Sequence, residues 1–238
     1  MVLMDFSLSK EQKLIQQVAQ EFAEKYVEPV SNQIYEEKRV PENIIKALAE
    51  YELLGIPFPE EYGGSGAGYL SYVLALEQIA KCSAGLGVTI SASTLGAGAI
   101  MNFGNEGQKQ KYLPPVCQGH HLASFAFTEP GTGSDPKQIE STARKEGNCF
   151  ILNGTKRFIS NGSYPGPLVV FARDTEINTI SAFIVDKFCE GYSVSQPWNK
   201  ICARGSNLVD IYLHDVRVPE ENLLGERGQG FPILLTSI

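Results

Sequence analysis

A chain of 238 residues exceeds the usual size of one domain and falls short of three, so two packed units are expected. Its 43% hydrophobic and 20% charged content weigh against a disordered chain, and a formal net charge of -7 weighs against a nucleic-acid backbone as partner. Phosphate groups can still be held locally by main-chain N–H groups and a few cations.

The opening MVLMDFSLSK lacks the basic-then-apolar order of a secretory signal, and no apolar run is read as reaching the roughly 20 residues of a membrane span. A cytoplasmic location without a membrane span is therefore expected. The first half reads as helices. Ser9 and Gln12 form a capping box, and Leu14, Ile15, Val18, Phe22 and Tyr26 recur at helical steps until Glu28-Pro29. Pro41 suits a first helical turn, Ile44, Ile45 and Leu48 continue the period, and Gly55 falls where a left-handed cap would end a second helix.

The turn-rich stretch from Ile56 to Leu70 is glycine-rich, but its spacing does not fit a dinucleotide fingerprint and no strand precedes it. Helical spacing resumes from Leu70 to Ile79. The segment from Ser83 to Phe103 is rich in Ala, Gly and Ser and predicts a helix packed closely on all sides. Asn105 and Gln108 cap a short helix that Pro114-Pro115 should stop near Tyr112.

Beyond Gly119 the composition changes to short β-branched and aromatic runs: FAFT, NCFILNG, KRFIS, LVVFAR, ISAFIVD, YSVS and VDIYLHDVRVP. Helices followed by strands predict an α+β protein, with an all-α domain ahead of an antiparallel, barrel- or sandwich-like β domain. The final residues after Gly228 read as a loop entering another helix. The 5 cysteines are odd in number and scattered, which suits reduced structural thiols. His120, His121 and His214 have no ligand spacing, so no metal is expected.

Two segments carry chemistry. In Phe125-Ala126-Phe127-Thr128-Glu129-Pro130-Gly131-Thr132-Gly133-Ser134 a strand runs into a hydroxyl-rich turn, whose glycines would let main-chain N–H groups approach a pyrophosphate. An ordinary strand-ending turn would look the same. In Lys156-Arg157-Phe158-Ile159-Ser160-Asn161-Gly162, alternation puts Phe158 and Ser160 on one strand face, where ring and hydroxyl could meet one planar ligand. A core Phe beside a turn-capping Ser is the plainer alternative.

Taken in order, EEYGG, FGNEGQKQKYLPPVCQG, FAFTEPGTGSD, LNGTKRFISNG and NKICARGSNLVDIYLHDVRVPEENLLGERGQGF resemble the acyl-CoA dehydrogenase family over essentially the whole chain. The resemblance implies a helical domain over residues 1–120, a middle β domain over 121–232, and the start of a third, helical domain at 233–238. It implies FAD as cofactor, held by Phe125, Phe127, Thr128, Gly133, Ser134, Phe158, Ile159 and Ser160, with Thr128 and Ser160 near the isoalloxazine and Phe158 against its ring. Many relatives carry Trp where this chain has Phe158. Ser134 and Phe231 are implied to lie near the CoA ester, and Arg204 to play a structural role.

The implied reaction is α,β-dehydrogenation of an acyl-CoA to a trans-2-enoyl-CoA, with an electron-transferring flavoprotein as acceptor and a homo-oligomer, a tetramer in relatives, as the working form. The glutamate base of relatives lies beyond the equivalent of GQGF, so no catalytic residue is assigned, and Glu220, Glu221 and Glu226 read as solvated loop carboxylates. These 238 residues alone are expected to turn over little. A short non-catalytic subunit, an acyl-CoA oxidase and a carrier-protein thioester dehydrogenase are the alternatives.

Overall fold

The computed structural model describes residues 6–238; residues 1–5, with which the stretch read for a leader begins, lie outside the described residues. Helix α1 (Lys10–Phe22) starts at the expected capping box, where Ser9 Oγ accepts from Gln12 N and Gln12 Oε1 accepts from Ser9 N. Ala19 and Phe22 are buried along it, but Leu14, expected in the apolar stripe, is exposed. Nor does the helical path stop at Glu28-Pro29. A π turn (Ala23–Val27) and a 3-10 turn (Glu28–Val30) carry it into α2 (Ser31–Glu37), because Pro29 falls in the first turn of a new segment, where its missing N–H is not needed.

Helix α3 (Glu42–Glu50) buries Ile44, Ile45 and Leu48 and ends at Tyr51. The left-handed residue after it is Glu52, at φ 58°, and not Gly55. Gly55 is needed for packing instead, since a Cβ there would stand 2.9 Å from Gly64 Cα. Helices α4 (Gly68–Cys82) and α5 (Ala84–Phe103) follow, and Ser83 caps α5 by accepting from Leu86 N. By length and composition α5 could cross a membrane, which corrects the expectation that no run is long and apolar enough; 67% of that window is buried inside the fold. Its apolarity serves packing, as Gly96 shows: a Cβ there would stand 2.7 Å from Ser124 O.

Helix α6 (Glu106–Cys117) opens at the expected Asn105–Gln108 box but runs through Pro114 and Pro115. The two carbonyls deprived of N–H partners belong to Gln110 and Lys111, both exposed, so water can serve them.

The second half forms one mixed sheet, ordered β6-β7-β3-β2-β4-β5-β8 with β1 also on β4. Its strands are β1 (Ser124–Ala126), β2 (Thr142–Glu146), β3 (Cys149–Ser160), β4 (Pro167–Asp174), β5 (Thr179–Asp186), β6 (Tyr192–Val194), β7 (Leu208–Pro219) and β8 (Leu223–Leu224). Most pairings are antiparallel as expected, but β1 and β2 each run parallel to β4. The central β4 is buried on both faces, which explains its continuous PLVVFA run. One core joins Phe125, Phe171 and Ile184 to Ile100 and Leu113 of the helices, and another holds Phe150, Leu152, Phe183 and Ile211. Helix α7 (Gly230–Ser237) adds Ile233 and Leu234 to the first.

Candidate functional site

The two chemically suggestive segments meet where one strand leaves the sheet and another takes its place. β1 pairs with β4 through Phe125 opposite Val169, and β2 pairs with the far end of β4 through Thr142 opposite Arg173. Residues 127–141 therefore loop out between them, over β3. Arg157 N donates to Thr128 O at 2.8 Å, and Ser124 Oγ donates to Ser160 O at 2.9 Å, so FAFT and KRFIS lie side by side.

Two buried lysines fasten this seam at its ends. Lys156 Nζ donates to Glu129 Oε1 at 2.6 Å, to Phe171 O at 2.6 Å and to Phe127 O at 3.5 Å. Burial pushes its pKa down to about 8, against the opposing pull of the Glu129 charge. Burial pushes the Glu129 carboxyl up, but the Lys156 charge and the donors around it bring it below the ordinary carboxylate value. Those donors include Glu140 N and Ser141 N, at 2.7 Å and 3.0 Å, so one side chain ties both ends of the loop to the sheet. At the other end Lys187 Nζ donates to Leu122 O, Ser124 Oγ and Asn161 O, and burial holds its pKa well below the ordinary value.

Simple alternation fails within β3. Its register against β7 shifts between Lys156 and Ile159, and Phe158 sits at φ 60°. A left-handed Phe costs of order 1–3 kcal/mol and persists only where its surroundings impose it. The bulge turns Lys156 inward with Ile159, and leaves Phe158 and Ser160 on the open side. Phe158 is 49% exposed. Ile159 points into the β core, so only its main chain faces the seam. Phe125 is likewise a core residue, its ring 4.9 Å from that of Phe171, whereas Phe127 is half-buried 6.3 Å from Phe125.

The remaining predicted residues lie on the open edge. Thr128 and Ser160 are partly exposed, Gly133 and Ser134 exposed, and among the described residues the hydroxyls of Thr128, Ser134 and Ser160 take no protein partner. A Cβ added at Gly131 or Gly133 would meet nothing within 4 Å, so neither protein packing nor backbone strain calls for glycine there. Free space above two glycines, unspent hydroxyls and an open ring suit a flat ligand with a phosphate tail. Phe231, at the start of α7, faces the same loop, with Lys137 Nζ 5.3 Å from its ring centroid.

Beyond Phe231 a cavity of about 380 Å³ opens between α4, α5 and α7, lined by Tyr69, Tyr72, Ser91, Thr94 and Gly98 among others. Arg204 lies away from the seam, its guanidinium 4.6 Å from the Tyr35 ring of α2, in a packing role. Lys156, Lys187, Glu129 and Asp210 escaped the sequence reading. Strand parity could have found Lys156, which shares the inward face with Phe150 and Leu152. The five cysteines are free, and no group of three or more His, Cys, Asp or Glu among the described residues could hold a metal ion.

The family model for the N-terminal domain of acyl-CoA dehydrogenase matches residues 9–120, and that for its middle domain matches residues 124–216. A short-chain specific acyl-CoA dehydrogenase of Clostridium acetobutylicum is 39% identical over 99% of this chain and 63% of its own length. Among solved structures, butyryl-CoA dehydrogenase from Megasphaera elsdenii superposes with a TM-score of 0.92 at 35% identity, covering 98% of this chain and 63% of that one. An acyl-CoA dehydrogenase from Bacillus anthracis, complexed with FAD, gives 0.92 at 35% identity over 99% of this chain and 41% of that one. The chain thus spans under two thirds of the length of these relatives.

Proposed function

Because this chain belongs to the acyl-CoA dehydrogenase family, we propose that its β1–β3 seam holds the isoalloxazine of FAD and that it serves, in the assembled enzyme, the α,β-dehydrogenation of an acyl-CoA thioester to a trans-2-enoyl-CoA. The observation that carries this reading is the Arg157–Thr128 main-chain bond, which sets the open Phe158 ring beside unspent hydroxyls. FAD supplies the acceptor for the β-hydride. Thr128 and Ser160 would donate to its polar edge, Phe158 would cover a ring face, and the main chain around Gly131 and Gly133 would meet the pyrophosphate. Ser134 and Phe231 would border the thioester, with the acyl chain running into the cavity beneath α4 and α5.

The two buried carboxylates of the seam are both committed to other partners. Glu129 is bound to Lys156 and two main-chain N–H groups. Asp210 is bound to Phe158 N, Trp198 Nε1 and Arg157 Nε. Taking up a proton would dismantle either network, and the family resemblance implies that the base is a glutamate beyond the equivalent of GQGF. An electron-transferring flavoprotein as acceptor and a homo-oligomeric working form complete the proposal on the family resemblance, and a cytoplasmic location on the absence of a secretory-signal pattern in the opening residues.

Titrating the purified chain with FAD, then adding acyl-CoAs of several lengths with an artificial electron acceptor, tests both halves. Saturable flavin binding without turnover is expected. Failure to bind FAD overturns the cofactor assignment, and turnover at rates ordinary for such enzymes overturns the assignment of the base.

A further inference from the structure

Phe158 keeps its left-handed backbone through a carboxylate that also holds the chain's 1 tryptophan. Asp210 Oδ1 accepts from Phe158 N at 3.2 Å and from Trp198 Nε1 at 2.9 Å, while Oδ2 accepts from Arg157 Nε at 3.3 Å. The carboxylate is itself fixed. Asp210 is buried, its N–H donates to Ser195 Oγ, and Trp198 N donates to Leu208 O, which ties the loop after β6 to β7. The Phe158 and Trp198 rings lie 5.1 Å apart at 59°, and the Arg157 guanidinium stands 5.8 Å and 5.6 Å from their centroids.

What this network holds in place is open to solvent. Phe158 is 49% exposed and Trp198 40% exposed, although an aromatic pair serving only stability would be expected to bury its faces. Asp210 fixes the Phe158 main chain and the Trp198 indole from beneath, and both rings remain partly open to solvent beside the Arg157 guanidinium. That is the construction of a preorganised platform for a flat partner, in which strain at one residue is retained by its surroundings. Indole, rather than another ring, is called for because its N–H fills the second acceptor site on Asp210 Oδ1.

We propose that Trp198 is a cofactor-positioning residue: anchored by Asp210 and tilted 59° against Phe158, it braces the ring on which the isoalloxazine rests. The inference depends on reading the seam as the FAD site. It adds a residue from β6–β7 to a site otherwise built from β1 and β3, and it assigns Asp210 the task of fixing the Trp198 ring and the Phe158 main chain.

The test compares FAD dissociation constants and the visible flavin band of the unsubstituted chain with those of W198A, W198L, D210A and D210N. W198A and W198L should each weaken binding about three- to tenfold and shift the band, the range expected for losing one aromatic contact. D210A should do the same, whereas D210N, which keeps an acceptor oxygen for both N–H groups, should bind nearly as the unsubstituted chain does. Acrylamide quenching of Trp198 emission without FAD should rise in D210A and stay unchanged in D210N. Unaltered affinity and band in both Trp198 variants overturn the proposal while leaving the seam as a flavin site. Failure of the unsubstituted chain to bind FAD overturns both. If W198A does not fold, W198L, which keeps apolar volume without a ring, decides.

Discussion

Lys156 Nζ lies 2.6 Å from Glu129 Oε1 with both side chains shut off from water, their exposures 0% and 4%. Such a pair contributes little net stability, because desolvation offsets the attraction, but removing one partner strands the other charge at a cost of about 3–5 kcal/mol. K156M and E129Q should each lose on that order in urea unfolding, and the double variant much less than their sum. Additive losses would show that the two groups are not coupled. Because Glu129 titrates below its ordinary value of 4.5, the stability it contributes is present above that pH and lost as the pH falls through the folded value. E129Q should flatten this acid limb.

Among the described residues Lys187 has no carboxylate partner, only two carbonyls and a hydroxyl. Its folded pKa lies well below 10.5, so between the two values the unfolded chain binds more protons and stability must rise with pH. One such group gives a slope of at most about 1.4 kcal/mol per pH unit. K187M should remove that rise from the alkaline side of the stability profile, measured by denaturant unfolding at a series of pH values. A slope unchanged by the substitution would mean that burial does not lower the Lys187 pKa.

Two glycines separate packing from ligand binding. G96A should destabilise the fold by about 1–3 kcal/mol, since its methyl would press on Ser124 O at 2.7 Å with no flexible side chain to yield. G133A meets nothing within 4 Å, so its melting temperature should not fall while its affinity for FAD does. Equal FAD affinity in G133A and the unsubstituted chain would remove this turn from the cofactor site.

Local signals were legible and long-range ones were not. Ser9 and Asn105 cap helices where short sequence patterns say they should, because a cap is decided within about four residues. The meeting of FAFT with KRFIS followed from family motifs, not from periodicity. What escaped depends on partners far along the chain. The bulge at Phe158 is imposed by Asp210, 52 residues later, so strand alternation alone cannot reveal it. The parallel pairing of β1 and β2 with β4 likewise depends on the crossover made by loop 127–141. Pro114 and Pro115 remain helical because the carbonyls they deprive face water, a matter of exposure that the proline signal does not encode.

Tyr72 offers the sharpest test of the cavity between α4 and α5. Its side chain is buried, and its hydroxyl faces Ser91 and Thr94 without coming into ordinary hydrogen-bond geometry with either. Burial raises its pKa, so the hydroxyl stays protonated at neutral pH. An unpaired buried hydroxyl costs about 1–3 kcal/mol relative to a paired one, so deleting it should not destabilise the fold. Y72F is therefore expected to melt at the same temperature or about 2–4 °C higher, the shift that 1 kcal/mol gives a chain of this size. It should also leave the cavity more apolar at the end expected to receive an acyl chain. A drop in melting temperature would show that the hydroxyl is bonded after all, through water or a rotated Thr94.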